Sequence, residues 1–114
     1  MLPQPNRLRK TNDFKRVFKN GKGVKADNMF VKVRPNKEGT IRIGIIVSKK
    51  VAKKAVDRNR IRRILSEGVR THIHKIKQGR DIVMVVLPGF NLQGTKDAEK
   101  TVYTLFKKLA LFAR

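Results

Sequence analysis

A run of fifteen residues, KKVAKKAVDRNRIRR at positions 49–63, constrains this chain more than any other stretch. It holds eight basic side chains and only one acid, Asp57. The basic residues are Lys49, Lys50, Lys53, Lys54, Arg58, Arg60, Arg62 and Arg63. Like charges one turn apart on a helix repel each other unless an anion lies across them. The run therefore predicts a surface for a polyanion, with phosphate as the first candidate.

A helix is predicted to begin near Ala55, within this run, and to end at about Ile73. At the helical period it has two unlike faces. Ile61, Ile64, Leu65 and Gly68 share the apolar face, Asn59, Arg62, Arg63, Ser66 and Arg70 lie opposite, and Arg58 stands at the border. Guanidinium and amide groups suit phosphate oxygens and the base edges beside them. The alternative is an ordinary solvated face, but such faces normally mix both signs of charge.

The whole chain is strongly basic. Its 114 residues include 29 Lys and Arg against 8 Asp and Glu, a formal net charge of +21. Such a surface releases condensed counterions on binding nucleic acid, which predicts a nucleic-acid partner. The sequence has no cysteine, no apolar run of membrane-spanning length and no apolar segment of a signal peptide in residues 1–6. A single cytoplasmic domain is expected.

The first part of the chain predicts an arm and then a helix. Residues 1–10 contain two prolines and three basic side chains and are expected to form a flexible basic arm that lies against RNA or against the domain. The helix after it is expected to be capped by Thr11 or Asn12. Gly21 is expected to end this helix in a left-handed conformation.

The remaining patterns predict strands and a last helix, and so an α+β domain. Strands are expected over residues 28–34, 40–48 and 81–87, with turns or loops at 35–39 and 88–94. The second is interpreted as a central strand and the hairpin partner of the first, and the third as buried on both faces. The last helix is capped by Thr95 in this interpretation and is expected to pack on the sheet. Its apolar positions are Val102, Leu105, Phe106, Leu109 and Phe112.

Phe14, Val17 and Phe18 form a short apolar stripe on the first helix. Aromatic side chains four residues apart on a helix are most often core residues, and composition favours this interpretation. Aromatic rings beside a basic sheet also stack on unpaired bases. Both roles are compatible if the rings line a groove.

The acids and histidines predict no protein active site. The eight acidic residues are dispersed, without a pair or cluster suited to metal ions. His72 and His74 are two residues apart on a helix, so they point to different sides and do not form an acid and base pair. No catalytic residue and no metal ligand are therefore expected.

Three blocks of the sequence resemble the protein subunit of bacterial ribonuclease P, the ribonucleoprotein that removes the 5′ leader from precursor tRNA. The strongest block is VSKKVAKKAVDRNRIRR, which is similar to the family's signature with an R-N-R triplet on a helix, here Arg58, Asn59 and Arg60. The others are RLRKTNDFKRVFKNGK near the start and GRDIVMVVLPG near the end, in the expected order and distance. The resemblance covers nearly the whole chain.

The resemblance implies a single α-β-β-β-α-β-α domain similar to the second domain of ribosomal protein S5. It also implies a left-handed crossover through the R-N-R helix, an exception to the usual handedness. In the family that helix lies against the catalytic RNA, and a cleft between the first helix and the sheet takes the single-stranded leader. One departure lies near Val33, where members often carry a tyrosine.

Two sets of site residues follow from the resemblance. The surface for the catalytic RNA would comprise Lys49, Lys50, Lys53, Lys54, Arg58, Asn59, Arg60, Arg62 and Arg63. The leader cleft would be lined by Phe14, Phe18, Phe30 and Lys32.

The resemblance implies that this protein assists a ribozyme endonuclease and carries no active site of its own. Its partners would be ribonuclease P RNA and precursor tRNA, with no membrane and no small-molecule substrate. Mg²⁺ would be held mainly by RNA phosphates and not by the protein. Two rivals share its charge: a structural ribosomal protein, and a cationic membrane-active protein, which would need an exposed apolar helix face.

Overall fold

Three helices and one four-stranded sheet form the fold in the computed structural model, which describes residues 2–26, 28–90 and 95–112. The helices are α1 (Thr11–Asn20), α2 (Ala55–His72) and α3 (Thr95–Lys108). The strands are β1 (Lys22–Ala26), β2 (Met29–Pro35), β3 (Arg42–Val47) and β4 (Arg80–Val86). The expected α+β class and the element order α-β-β-β-α-β-α are both confirmed.

The sheet has the strand order β1-β2-β4-β3. β1 pairs with β2 and β2 with β4 in antiparallel fashion, whereas β3 and β4 are parallel and are joined through α2. The expected hairpin between β2 and β3 is therefore wrong, and β3 is an outer strand of the sheet, not a central one. The physical reason is that β4 is apolar on both faces and takes the central position between them, which puts α2 across the sheet as the crossover.

β1 was not visible in the pattern of the sequence. Its residues KGVKA contain only two apolar side chains and a glycine, which weaken a strand signal. The strand forms because it pairs with β2, from Lys22 opposite Val33 to Ala26 opposite Met29.

One face of the sheet is covered by α2 and α3. It contributes Met29, Val31, Val33, Ile82, Met84 and Val86 to the main core. Leu65 and Val69 of α2 and Val102, Leu105 and Phe106 of α3 pack on these strands and are fully or almost fully buried. The expected packing of the last helix on the sheet is thus confirmed, and Gly68 brings α2 into contact with the backbone of Ala98 on α3. The sequence places the α2 boundaries correctly to within one residue.

The other face of the sheet is covered by α1 and by Leu8 of the N-terminal arm. Val17 packs with Val83 and with the N-terminal Leu8, while Phe14, Ile46 and Val85 lie half-buried around them. Because one ten-residue helix cannot cover a four-stranded face, part of this face stays open beside α1.

The ends of α1 differ from the expected caps. The helix begins at Thr11, after Lys10 in extended conformation, and no side chain caps it. Gly21 has φ −83° and ψ 155°, which is extended and not left-handed. Glycine is needed there because a Cβ would press on the carbonyl oxygens of Val17 and Val33. The α3 cap expected at Thr95 involves a side chain outside the described set.

The arm expected to be flexible lies, over residues 2–10, along the outer edge of β3. Leu2 and Leu8 are buried, and the Leu8 amide donates to the carbonyl of Ile43 at 3.0 Å. The Asn6 side chain donates to the carbonyl of Ile41 at 2.8 Å. These contacts give the arm a defined path across β3 towards α1. No helix among the described residues is long and apolar enough to span a membrane.

Candidate nucleic-acid interface

The basic run begins as a turn after β3 and continues onto α2. The amide nitrogens of Val51 and Ala52 donate to the carbonyl of Ser48, at 3.1 and 3.3 Å, which folds the chain back before the helix starts. All the lysines of this turn are exposed: Lys49, Lys50, Lys53 and Lys54. The turn therefore presents ammonium groups close to the N-terminus of α2.

Arg58 and Arg62 are both half-buried and both make internal hydrogen bonds. Arg58 Nη1 donates to the carbonyls of Ala52 and Lys53, at 3.0 and 2.8 Å, so this side chain holds the turn against α2. Arg62 Nη1 donates to Asn59 Oδ1 at 2.7 Å. The remaining nitrogens of each guanidinium are still able to donate to an RNA.

Arg60 and Arg63 are exposed along the outer side of α2. Their side chains extend from the same helix as Asn59, whose amide is also exposed. Guanidinium groups in this position can donate two parallel hydrogen bonds to a phosphate. Arg60, Arg63 and the four lysines of the turn are therefore the most accessible part of the predicted surface.

The polar face assigned to α2 is partly wrong, because Ser66 is buried at 5% exposure. The N-terminal arm lies over that flank of the helix and forms a groove with it. The groove is lined by Leu2, Arg7, Leu8, Arg9, Ile43, Gly44, Ile45, Arg62 and Ser66. Arg7 and Arg9 thereby join Arg62 at the basic surface, a contribution that requires the arm to cross β3.

The four residues predicted for the leader cleft all lie on the sheet face that carries α1. Phe30 and Lys32 stand on β2 opposite Val85 and Val83 of β4. Lys32 Nζ donates to the carbonyl of Phe18 at 2.5 Å and lies 5.8 Å from the centroid of the Phe30 ring. One lysine thus links the end of α1 to the open part of the face.

The aromatic residues of the cleft are not equally accessible. Phe18 is 37% exposed and Phe30 is half-buried, while Phe14 packs over Gly44 under α1. The aromatic stripe is therefore divided: Phe14 and Val17 pack in the core, and Phe18 presents a ring to solvent. Phe14 therefore packs beneath α1, beside the cleft, and contributes little to the cleft surface.

The cleft has further residues that the sequence did not single out. Ile46 and Val85 are half-buried on its floor, and Lys25 stands opposite Phe30 at its outer edge. Val33 points to the other side of the sheet, where it is 8% exposed beneath α2 and α3. Val33 itself therefore does not line the cleft.

Gly44 allows α1 to lie close to the sheet. A Cβ built on this residue would overlap the Phe14 ring. We expect Gly44→Ala to lower the free energy of unfolding by about 1–3 kcal/mol, because Phe14 must move from a packed position. Urea denaturation measures this change.

The control for this variant is Gly23→Ala on the same face of the sheet, where a Cβ would lie 3.2 Å or more from the nearest side-chain atoms. Gly39→Ala is not a suitable control, because Gly39 has a positive φ of 75°. An equal loss of stability in the Gly44 and Gly23 variants would contradict the role of Gly44.

Arg42 of β3 joins three carboxylates where α1 begins. Its Nε and Nη2 each lie 2.8 Å from a carboxylate oxygen of Asp81, which is 2% exposed. Asp13 of α1 and Glu38 each approach the guanidinium at 3.5 Å. The hydrogen bonds to Asp81 raise the pKa of Arg42 above its ordinary value, so this guanidinium stays charged at any ordinary pH. Arg42 therefore secures the start of α1 as Lys32 secures its end.

The described residues contain no group of three His, Cys, Asp or Glu side chains that could hold a metal ion. Asp13, Glu38 and Asp81 come near one another, but Arg42 lies between them and supplies the positive charge. This part of the chain therefore does not fit a dedicated site for Mg²⁺.

A basic turn and helix at one edge, together with an aromatic and basic cleft on the sheet, are typical of an RNA-binding protein. The family model described as Ribonuclease P matches residues 2–110, and the chain belongs to this family. Its members are protein components of an endonuclease complex that processes the 5′ end of tRNA together with RNA. The chain is therefore part of such a complex and has an RNA partner.

Individual relatives agree with this assignment. The ribonuclease P protein component of Clostridioides difficile strain 630 is 39% identical over 102 residues, which are 89% of each chain. The structure of the Staphylococcus aureus RNase P protein has a TM-score of 0.84 at 30% identity, covering 95% of this chain and 98% of that one. The RNase P protein from Thermotoga maritima has a TM-score of 0.76 at 30% identity, covering 89% and 96%.

Proposed function

We propose that the protein docks on the catalytic RNA of ribonuclease P through the basic turn and α2, and holds the 5′ leader of precursor tRNA in the cleft beside α1. The observation that carries the proposal is the open half of the sheet face, where the exposed Phe18 ring lies with Phe30 and Lys32. An unpaired RNA strand needs both aromatic surfaces for its bases and cations for its phosphates.

The two surfaces meet at the C-terminal end of β3. Ile46 lies on the floor of the cleft, and the exposed Lys49 begins the basic turn three residues later. A strand leaving the cleft in this direction therefore passes directly to the surface assigned to the catalytic RNA. This continuity supports a single path along which the leader runs from the cleft to the catalytic RNA, where the rest of the precursor tRNA is bound.

Assistance follows from binding and not from protein catalysis. Only the precursor has a leader, so contacts in the cleft favour the precursor over the mature product. The positive charge of the protein reduces repulsion between two large polyanions and thereby lowers the Mg²⁺ concentration that the complex requires. In this proposal Mg²⁺ is held by RNA phosphates, and no side chain of the protein takes part in the chemical step.

The test compares precursor and mature tRNA with the reconstituted complex of this protein and a bacterial ribonuclease P RNA. We expect Phe18→Leu with Phe30→Leu to weaken precursor binding by about tenfold, because base stacking on each ring is lost. Mature tRNA should bind within about twofold of the unsubstituted complex, since it has nothing to place in the cleft. Phe90→Leu is the matched control, because Phe90 is half-buried against the core on the other side of the sheet.

Cleavage at low Mg²⁺ supplies the second measurement. The unsubstituted protein should raise the rate of leader removal by the RNA. Cleavage of precursor tRNA by the protein without RNA would contradict the non-catalytic role. A rate of leader removal that is the same with and without the protein would contradict the proposed assistance.

A further inference from the structure

A groove on the helical side of the molecule, away from the cleft, lies between the last turn of α2 and the outer face of α3. It is lined by His72, Glu99, Lys100, Tyr103 and Thr104. Its volume of about 570 Å³ falls in the range of small-molecule sites. The sheet separates this groove from Phe18 and Phe30, so neither of the two surfaces described above includes it.

His72 has a buried polar atom that faces no hydrogen-bond partner. The residue is 8% exposed, and its Nε2 makes no hydrogen bond within residues 2–26, 28–90 and 95–112. The nearest carboxylate oxygen, Glu99 Oε1, is 3.9 Å away, which is beyond hydrogen-bond distance. A buried polar atom in this state is destabilising, and a ligand group that bonds to it removes that penalty.

Aromatic packing fixes the orientation of the His72 ring. Its centroid lies 5.5 Å from that of Tyr103 and 5.9 Å from that of Phe112, the latter in an edge-to-face arrangement. Tyr103 is itself 5.1 Å from Phe112 by ring centroid and yet remains 44% exposed. The groove therefore has one accessible aromatic face, and the rigid His72 nitrogen lies behind its wall, closed off from solvent next to the Glu99 side chain.

Lysines stand one turn away on either side of Tyr103. Lys100 lines the groove, and Lys107 Nζ lies 6.0 Å from the centroid of the Tyr103 ring. Among the described side chains that line the groove, Glu99 is the only acid. An aromatic ring between two cations at helical spacing suits a base with a phosphate on each side, whereas an apolar protein segment would leave both ammonium groups without partners.

We propose that this groove binds one unstacked nucleobase of an RNA strand. The base stacks on Tyr103 and displaces the Glu99 side chain, whose carboxylate lies 3.9 Å from His72 Nε2, so that the polar edge of the base bonds to that nitrogen. Lys100 and Lys107 contact the neighbouring phosphates. Because the sheet lies between the groove and the cleft, the strand bound here is a different RNA segment from the one in the cleft. The proposal goes beyond leader binding and does not depend on it.

Tyr103 is the only tyrosine and the chain has no tryptophan, so the fluorescence lifetime of the intact protein reports on this groove alone. The probes are the RNA trinucleotide ApApA and a ribose-phosphate trimer of the same length without bases, at constant ionic strength. We expect ApApA to shorten the Tyr103 lifetime through stacking and the abasic trimer to leave it unchanged. Adenosine monophosphate should bind at least about fivefold more weakly than ApApA, because it brings fewer phosphates to the lysines.

The decisive variant is His72→Phe, which keeps a ring against Tyr103 and Phe112 but removes Nε2. It should weaken ApApA binding by about fivefold. Circular dichroism checks its folding. Lys100→Gln with Lys107→Gln changes only exposed side chains and should produce a loss of similar size. The Phe18→Leu and Phe30→Leu protein is the matched control and should keep the lifetime response.

Four results would overturn the proposal. An equal lifetime change with the abasic trimer, or an unchanged affinity in both groove variants, would show that no base is bound at Tyr103. Loss of the response in the cleft variant would show that the signal is transmitted from the cleft. Binding of adenosine monophosphate as tight as that of ApApA would exclude an RNA strand as the ligand.

Discussion

Arg42→Met is expected to lower the free energy of unfolding by about 3–5 kcal/mol, because it leaves the buried Asp81 carboxylate without its cation. The guanidinium lies 2.8 Å from each oxygen of Asp81, and Asp81 is 2% exposed. Asn36 Nδ2, 2.8 Å from Asp81 Oδ1, is a neutral donor and does not replace the lost charge. Methionine retains most of the aliphatic volume, so the loss reports on the charge and its hydrogen bonds.

Urea denaturation at constant sulfate concentration measures this difference, because anions stabilise a folded state with a net charge of +21. The control is Arg70→Met, whose ion pair with Glu67 has side chains that are 62% and 37% exposed. That variant should lose less than about 1 kcal/mol. Replacing Asp81 with leucine as well should recover part of the stability of Arg42→Met. Equal losses in the Arg42 and Arg70 variants would contradict a structural role for the buried pair.

Arg60→Gln with Arg63→Gln is expected to weaken binding to ribonuclease P RNA by about 100-fold, roughly tenfold for each charge-assisted hydrogen bond. Both side chains are exposed on α2, so their loss should leave the fold intact. Each phosphate contact also releases counterions, and the slope of log affinity against log salt should therefore fall by about 1.5. Filter binding over a salt series measures both quantities.

The matched control removes the same charge at the opposite end of the sheet, through Lys37→Gln with Lys77→Gln. Lys37 follows β2 and Lys77 precedes β4, and both are exposed. This pair should change affinity by less than about fivefold, because only the general attraction of the basic surface is reduced. If both double variants lost affinity equally, RNA binding would depend on total charge, and α2 would not be a docking surface.

The sequence predicted α2 within one residue of its observed end, because an amphipathic period is a local property of a helix that packs one face on a core and exposes the other. It also predicted β4 as a strand buried on both faces. It did not predict the partner of β3, because β-branched side chains favour a strand without specifying its neighbour. The predicted left-handed conformation of Gly21 was also wrong. The glycine does mark the end of the helix, but it is required by close packing against distant backbone and not by a left-handed turn.

The candidate sites likewise contain some features that the sequence predicted and others that depend on contacts between distant residues. Phe18, Phe30 and Lys32 are distant in sequence, and the resemblance to a family brought them together before any contact was known. The buried state of Ser66 and the position of Arg9 beside Arg62 depend on an arm that crosses β3, for which the sequence contains no periodic signal. The internal hydrogen bonds of Arg58 likewise depend on how the preceding turn folds back.

The sequence by itself determined the chemistry of this protein: a polyanion partner, an α+β fold and a basic run on an amphipathic helix. These follow from charge and periodicity, which are properties of neighbouring residues. Only the tertiary structure decided which cations face solvent, which are used in internal hydrogen bonds and which aromatic rings are accessible. Those outcomes depend on contacts between distant residues, since the packing of α1, the arm and the sheet determines what each side chain can reach.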